Sequence, residues 1–119
     1  MNRNELQFHV AHIGINCGNS EEAEKTAAIF SLLFGFDIKV GNSSIFTGEN
    51  IEIMKSRYLG KNGHIAIGTN NIDKAISKLK GSGYEVDKNT LKRDTKGQIK
   101  SVYLSNEIAG FALHLLSVS

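Results

Sequence analysis

The tetrapeptide His12-Ile13-Gly14-Ile15 returns 52 positions later as His64-Ile65-Ala66-Ile67. The residues after each copy are also alike. Asn19, Glu21 and Ala23 are matched at the same interval by Asn71, Asp73 and Ala75, and the step Gly35-Phe36-Asp37-Ile38 recurs as Gly83-Tyr84-Glu85-Val86. A self-similar period near 50 residues means one supersecondary unit used twice. It also places two histidines in equivalent positions, so the repeat bears on chemistry as well as on fold.

At 119 residues the chain is expected to form one domain built from two repeats, a first module over 7–55 and a second over 62–118. Fourteen basic against twelve acidic residues leave a net charge of +2, with the lysines dispersed, which argues against a nucleic-acid partner. No apolar stretch is long enough to span a bilayer, and the first five residues lead into alternating sequence without the apolar core of a signal peptide. The expected location is the cytoplasm. Cys17 is the only cysteine, so an internal disulfide is impossible, and it reads as a small packing residue rather than a reactive thiol.

Each unit reads β-α-β-β-β. Phe8 to Ile15 is apolar on both alternating sets, as in a strand covered on both faces. Asn19-Ser20 offers a helix cap with Glu21 and Glu22 in the first turn. Ala23, Ala27, Phe30, Leu33 and Phe34 form an apolar stripe at helical spacing, and Gly35 ends the helix. Strands come next over 36–40, 43–47 and 51–54, parted by Gly41-Asn42 and Gly48-Glu49-Asn50. The second unit runs as strand 64–68, helix 72–80, a short strand 84–86, a polar loop 87–96 containing Lys92-Arg93-Asp94, and strands 98–104 and 111–118. The expected fold class is therefore α+β: two βαβββ modules forming a curved mixed sheet with helices on the outer face. Neither sheet of four strands could bury its inner face alone, so the units must pack together or pair with another chain.

Four side chains with metal-binding chemistry occupy equivalent strands. His12 and His64 open the repeated motif. Glu52 lies between Ile51 and Ile53, and His114 between Leu113 and Leu115, in the last strand of each unit. Side chains alternate faces along a strand, so each polar residue points away from aliphatic neighbours that pack under the helices. A lone histidine on an apolar strand is usually a hydrogen-bonded core residue. Four such groups placed by one repeat point instead to a metal or active site, because a buried charge needs a partner or an ion. Imidazole nitrogens with a carboxylate oxygen suit Zn, Ni, Co, Mn or Fe. His9 falls out of phase with His12 and reads as a surface or packing residue. Gly60-Lys61-Asn62-Gly63 precedes a strand rather than a helix, which excludes a P-loop.

Residues 8–117 resemble the vicinal oxygen chelate superfamily of glyoxalase I, extradiol dioxygenases, fosfomycin and bleomycin resistance proteins and methylmalonyl-CoA epimerase. The resemblance rests on the paired modules, the strand-opening His-Ile-Gly-Ile and His-Ile-Ala-Ile, the helix-ending Leu33-Phe34-Gly35-Phe36, and the turns into Glu52 and His114 at Gly48-Glu49-Asn50-Ile51-Glu52 and Gly110-Phe111-Ala112-Leu113-His114. It implies metal ligation by His12, Glu52, His64 and His114, with Glu52 and His114 as the catalytic pair. The chain departs from the pattern at His114, where glyoxalases and dioxygenases usually carry Glu; a histidine there suits ligation or general-base work. More narrowly, residues 41–46 and 58–64 are similar to a small branch associated with 2-keto-3-deoxy-6-phosphogluconate aldolases. That implies an aldolase partner and a phosphorylated or acidic keto-sugar ligand. Lys55, Arg57 and Lys61 would suit such an anion but read more simply as solvated strand-end charges.

Three functions compete. The first is a glyoxalase-like, metal-dependent lyase, isomerase or epimerase of a small 2-oxo or 2-hydroxy substrate, in which a divalent metal polarises a carbonyl while a proton leaves the adjacent carbon. The second is a non-catalytic binding module, resistance-type or aldolase-associated; the absence of tryptophan and the modest aromatic content argue against strong sequestration. The third, oxygen-activating iron chemistry, fits least, because the carboxylate sits in the first half rather than the last strand. A homodimer is expected.

Overall fold

The computed structural model describes residues 5–118. Residues 1–4, part of the N-terminal stretch judged to lack a signal-peptide core, lie outside the described residues. The first half contains β1 (His9–Asn16), α1 (Ser20–Phe34), β2 (Ile38–Val40), β3 (Ser44–Thr47) and β4 (Ile51–Met54). The second contains β5 (Gly63–Thr69), α2 (Ile72–Gly81), β6 (Val86–Arg93), β7 (Ile99–Leu104) and β8 (Phe111–Ser117). All eight strands join one mixed sheet in the order β2-β3-β4-β1-β5-β8-β7-β6, so the fold is α+β with two helices. The halves meet edge to edge: β1 and β5, the two strands that carry the repeated tetrapeptide, run antiparallel at the centre.

Both helices start and stop where their caps dictate. Asn19 Oδ1 accepts from the Glu22 amide at 2.8 Å, and Asn71 Oδ1 from the Lys74 amide at 3.1 Å. Gly35 closes α1 in the left-handed region at φ 71°, its amide bonding Ser31 O. Each helix covers its own half. Ala23 and Ala27 of α1 are buried with Ile45, Ile53 and Cys17, and Phe30, Ile15 and Ile51 pack against them. Ile72 of α2 is buried with Val102 and Leu115, flanked by Ile67, Ile76 and Leu79. Ile51 and Ile53, like Ile67 and Leu115, thus face helices, and alternation turns Glu52, His64 and His114 to the opposite face. The apolar stripe on α1 is only partly used. Leu33 and Phe34 remain 65% and 62% exposed at the C-terminal end of the helix.

The edge of the second half departs from the sequence expectation. Residues 87–93, expected as loop, continue β6, while Tyr84 and Glu85 precede it. The segment Asp87-Lys88-Asn89-Thr90 lacks apolar alternation because an edge strand needs only one neighbour, and polar side chains protect its free edge.

Candidate metal and active site

Strand register sets the site in two parallel rows. Across β4, β1 and β5, Glu52 is paired with Gly14, and Gly14 with His64. Across β1, β5 and β8, His12 is paired with Ala66, and Ala66 with His114. The rows are equivalents under the repeat, with one difference at their centres: glycine in the first, alanine in the second. The His64 imidazole lies over Gly14, where a Cβ would stand 2.0 Å from Cε1 and 2.6 Å from Nε2. The open space at Gly14 lets His64 and Glu52 meet across β1, whereas the Ala66 methyl, fully buried, occupies the matching place between His12 and His114.

Three of the four sequence-nominated residues therefore converge. Glu52 Oε1 lies 3.1 Å from His64 Nε2 and 3.3 Å from His12 Nε2, and the two Nε2 atoms are 3.2 Å apart. His64 is buried, and Glu52 and His12 are largely covered, at 17% side-chain exposure each. The second carboxylate oxygen, Oε2, accepts from Ser44 Oγ at 2.7 Å. Hydrogen bonds from His12 and then His64 hold the Glu52 carboxyl well below the usual carboxylate range, against the opposing effect of burial. His114 stands beside the cluster rather than in it. Its ring centroid is 6.0 Å from that of His64, and it stacks flat on Tyr103 at 4.0 Å. Burial, followed by the neighbouring His64, His12 and Lys92, lowers its pKa to about 4.

The donor set fits a divalent ion. Bonds of about 2.1 Å to a tetrahedral or octahedral centre place ligand atoms about 3.0–3.4 Å apart, which is the spacing of all three donor pairs here. Without an ion, the two imidazole N–H groups can converge on the one oxygen, Glu52 Oε1. His64 Nδ1 is buried without a hydrogen-bond partner, so the ring is fixed by packing rather than by a second acceptor.

The cluster opens on a cavity of about 410 Å³ whose wall includes Ser43, Met54, Ser56, Tyr58, Thr90 and Lys92 together with Tyr103 and His114. Two aromatic residues frame the imidazoles in equivalent places. Phe46, paired with Glu52, meets His12 edge-on at 5.7 Å, and Tyr103, paired with His114, meets His64 edge-on at 6.2 Å. Carrying the repeat one strand further, to Ile45-Phe46 and Val102-Tyr103, would have found both. Burial raises the Tyr103 phenol, helped by Tyr58 and Glu52, so it stays a donor throughout the neutral range. Lys55 and Arg57 are outside the cavity wall, bonded to Gly41 O and Lys61 O, in line with the solvated reading. Cys17 is buried 3.7 Å from Thr26 Oγ1, a packing position. His9 reaches the same sheet face as His12, because a bulge between Val10 and His12 resets the alternation and pairs His9 with Gly68; it remains exposed, bonded to Gln7 O.

No protein-family model and no curated protein sequence matches the chain. Solved structures do. A methylmalonyl-CoA epimerase in complex with methylmalonyl-CoA and NH4+ superposes with a TM-score of 0.64 over 97% of this chain and 96% of its own, at 17% identity. The mixed eight-stranded sheet with two helices is consistent with the vicinal oxygen chelate fold. A Streptomyces coelicolor methylmalonyl-CoA epimerase variant bound to 2-nitronate-propionyl-CoA gives 0.61 at 18% identity, over 93% of this chain and 94% of its own. The Mycobacterium tuberculosis methylmalonyl-CoA epimerase gives 0.62 at 13%, over 92% and 87%. Within the vicinal oxygen chelate fold, the cluster here is built from both halves: His12 and Glu52 come from the first and His64 from the second. Among the described residues no helix is long and apolar enough to cross a membrane.

Proposed function

We propose that the chain is a metal-dependent isomerase or epimerase of a small 2-oxo or 2-hydroxy acid. The observation that carries this reading is the triangle of His12 Nε2, Glu52 Oε1 and His64 Nε2, at ligand spacing, on the wall of a cavity that also holds the His114 imidazole. His12, Glu52 and His64 would hold a divalent ion, which supplies Lewis acidity toward the substrate's oxygens. His114 takes a proton from the carbon beside the carbonyl or carboxylate. Its lowered pKa keeps it neutral, and so able to accept, at any pH well above about 4. The stacked Tyr103 fixes the ring plane and keeps its own phenolic proton for donation. Ser44 orients Glu52 by engaging the oxygen that does not face the imidazoles. In an isomerisation His114 returns the proton to the neighbouring carbon, and in an epimerisation a second donor delivers a proton to the opposite face; neither needs an oxidant or a second substrate.

The test starts with metal analysis of protein purified without a histidine tag. Wild type is expected to retain close to one equivalent of a first-row divalent metal, and His64→Ala to lose it. Proton NMR in deuterated solvent should then show exchange of the hydrogen on the carbon beside the ketone of an accepted 2-oxo acid, or on the hydroxyl-bearing carbon of a 2-hydroxy acid, slowed about 100-fold or more in His114→Gln. Negligible metal in both proteins, or no exchange with any of a panel of 2-oxo and 2-hydroxy acids, would favour a binding module without turnover.

A homodimer remains part of this reading. It is supported by the exposed apolar side chains of Leu32, Leu33 and Phe34 at the end of α1 and of Val40 on β2. Light scattering at micromolar concentration is expected to give twice the 13.0 kDa chain mass, and a monomer mass would remove this part of the proposal.

A further inference from the structure

The two halves differ most in their outermost strands. β2 has three residues and pairs with β3 in unbroken register. β6 has eight, and it pairs Asp87 with Tyr103 but Lys92 with Ser101, so five steps along β6 answer two along β7. The surplus is gathered into a bulge that the segment itself holds. Asp87 Oδ1 accepts from the Asn89 amide at 3.0 Å, Thr90 Oγ1 donates to Asp87 O at 2.7 Å, and the Tyr103 amide donates to Thr90 Oγ1 at 2.9 Å. Bulges beside active sites re-aim side chains, and this one brings Thr90 and Lys92 to the cavity wall.

Among the described residues, Lys92 is the only lysine or arginine in that wall. None of the ion pairs among the described residues includes it. A cation facing a pocket without a carboxylate partner, on a strand distorted to present it, is suited to an anion that arrives with the ligand. The cavity, at about 410 Å³, lies at the small end of ligand pockets, which run from roughly 300 to 1,000 Å³.

We propose that Lys92 determines substrate class by receiving a second anionic group, a carboxylate or a phosphate, so that the preferred substrate is a small diacid or phosphorylated acid. This rests on the metal-dependent reading of the site for the first anchor but not for the role of Lys92.

Two matched pairs of ligands test it by calorimetry on cobalt-loaded protein: 2-oxoglutarate against its distal amide, and 3-phosphoglycerate against glycerate. Wild type is expected to bind the more highly charged member of at least one pair about tenfold more tightly, the difference a charge-assisted hydrogen bond provides. The pair that discriminates identifies carboxylate or phosphate. Lys92→Met should erase the preference and Lys92→Arg should keep it, while the cobalt absorption spectrum stays unchanged in both. No preference in wild type, or one that survives in Lys92→Met, overturns the inference. If wild type takes up no cobalt, the metal-dependent reading fails, and the same pairs titrated into the metal-free protein still decide the role of Lys92.

Discussion

Replacing Gly14 with alanine is expected to abolish metal binding while leaving the chain folded. The added methyl would stand 2.0 Å, 2.2 Å and 2.6 Å from Cε1, Nδ1 and Nε2 of His64, distances that no packed carbon tolerates. The backbone at Gly14 is shared with Glu52 on one side and His64 on the other, so it has little freedom to retreat. The ring must swing away, and the triangle opens. Overpacking of this kind costs about 1–3 kcal/mol, seen as a lower melting temperature. Metal affinity should fall further than the roughly 10–100-fold that disturbed supporting residues typically cause. Calorimetric titration with zinc, paired with a melting curve, measures both. Retention of metal affinity within a few-fold of wild type would show that His64 is not a ligand in the geometry described. Alanine already occupies the matching place at Ala66, so an Ala66→Gly protein serves as the control and is expected to keep the His12, Glu52 and His64 ligands.

Glu52→Gln should have an effect of comparable size by another route. The substitution keeps the shape and the Ser44 contact but removes the only carboxylate of the cluster. Two neutral imidazoles and an amide oxygen hold a divalent ion weakly, and the expected loss of affinity is again above about 100-fold. The variant also carries a signature in the metal-free protein. Hydrogen bonds from His12 and His64 keep the folded-state pKa of Glu52 below its ordinary value of 4.5. The stability this contributes is fully present above that value and is lost as pH falls toward the folded-state pKa. The wild-type melting temperature should therefore drop faster below about pH 4.5 than that of Glu52→Gln. Parallel acid limbs in the two proteins would mean that the Glu52–imidazole contacts are not formed in solution.

The architecture is legible in the sequence because its signals are local and doubled. Asn19 and Asn71, Gly35, the alternating strands and the repeated tetrapeptide each fix an element without reference to the rest of the chain. The nominated side chains are equally visible, since an acidic or imidazole group between aliphatic residues on a strand has only one face left to it. Pairing is not legible in the same way. That His12 meets Glu52 and His64 while His114 stacks on Tyr103 is a matter of register, and the single methyl that separates Ala66 from Gly14 gains meaning only when four strands are laid side by side. Simple alternation puts His9 in the wrong phase, because a bulge leaves no mark in a sequence rich in apolar residues on both faces. β6 looks like a loop for the opposite reason: its residues 87–90 lack the apolar pattern that burial imposes, and the bulge that brings Lys92 to the cavity depends on hydrogen bonds from Asn89 and Thr90 to Asp87 that composition does not reveal.

The antiparallel seam between β1 and β5 has a consequence for what such a molecule can become. Two identical subunits meeting at that seam would be obliged to show the same residue on either side of the axis, two glutamates or two histidines, two short borders or two long ones. Writing both halves on a single thread removes that obligation. One side of this hollow can keep its acid while the other trades it for a base, and only one rim needs to grow an arm.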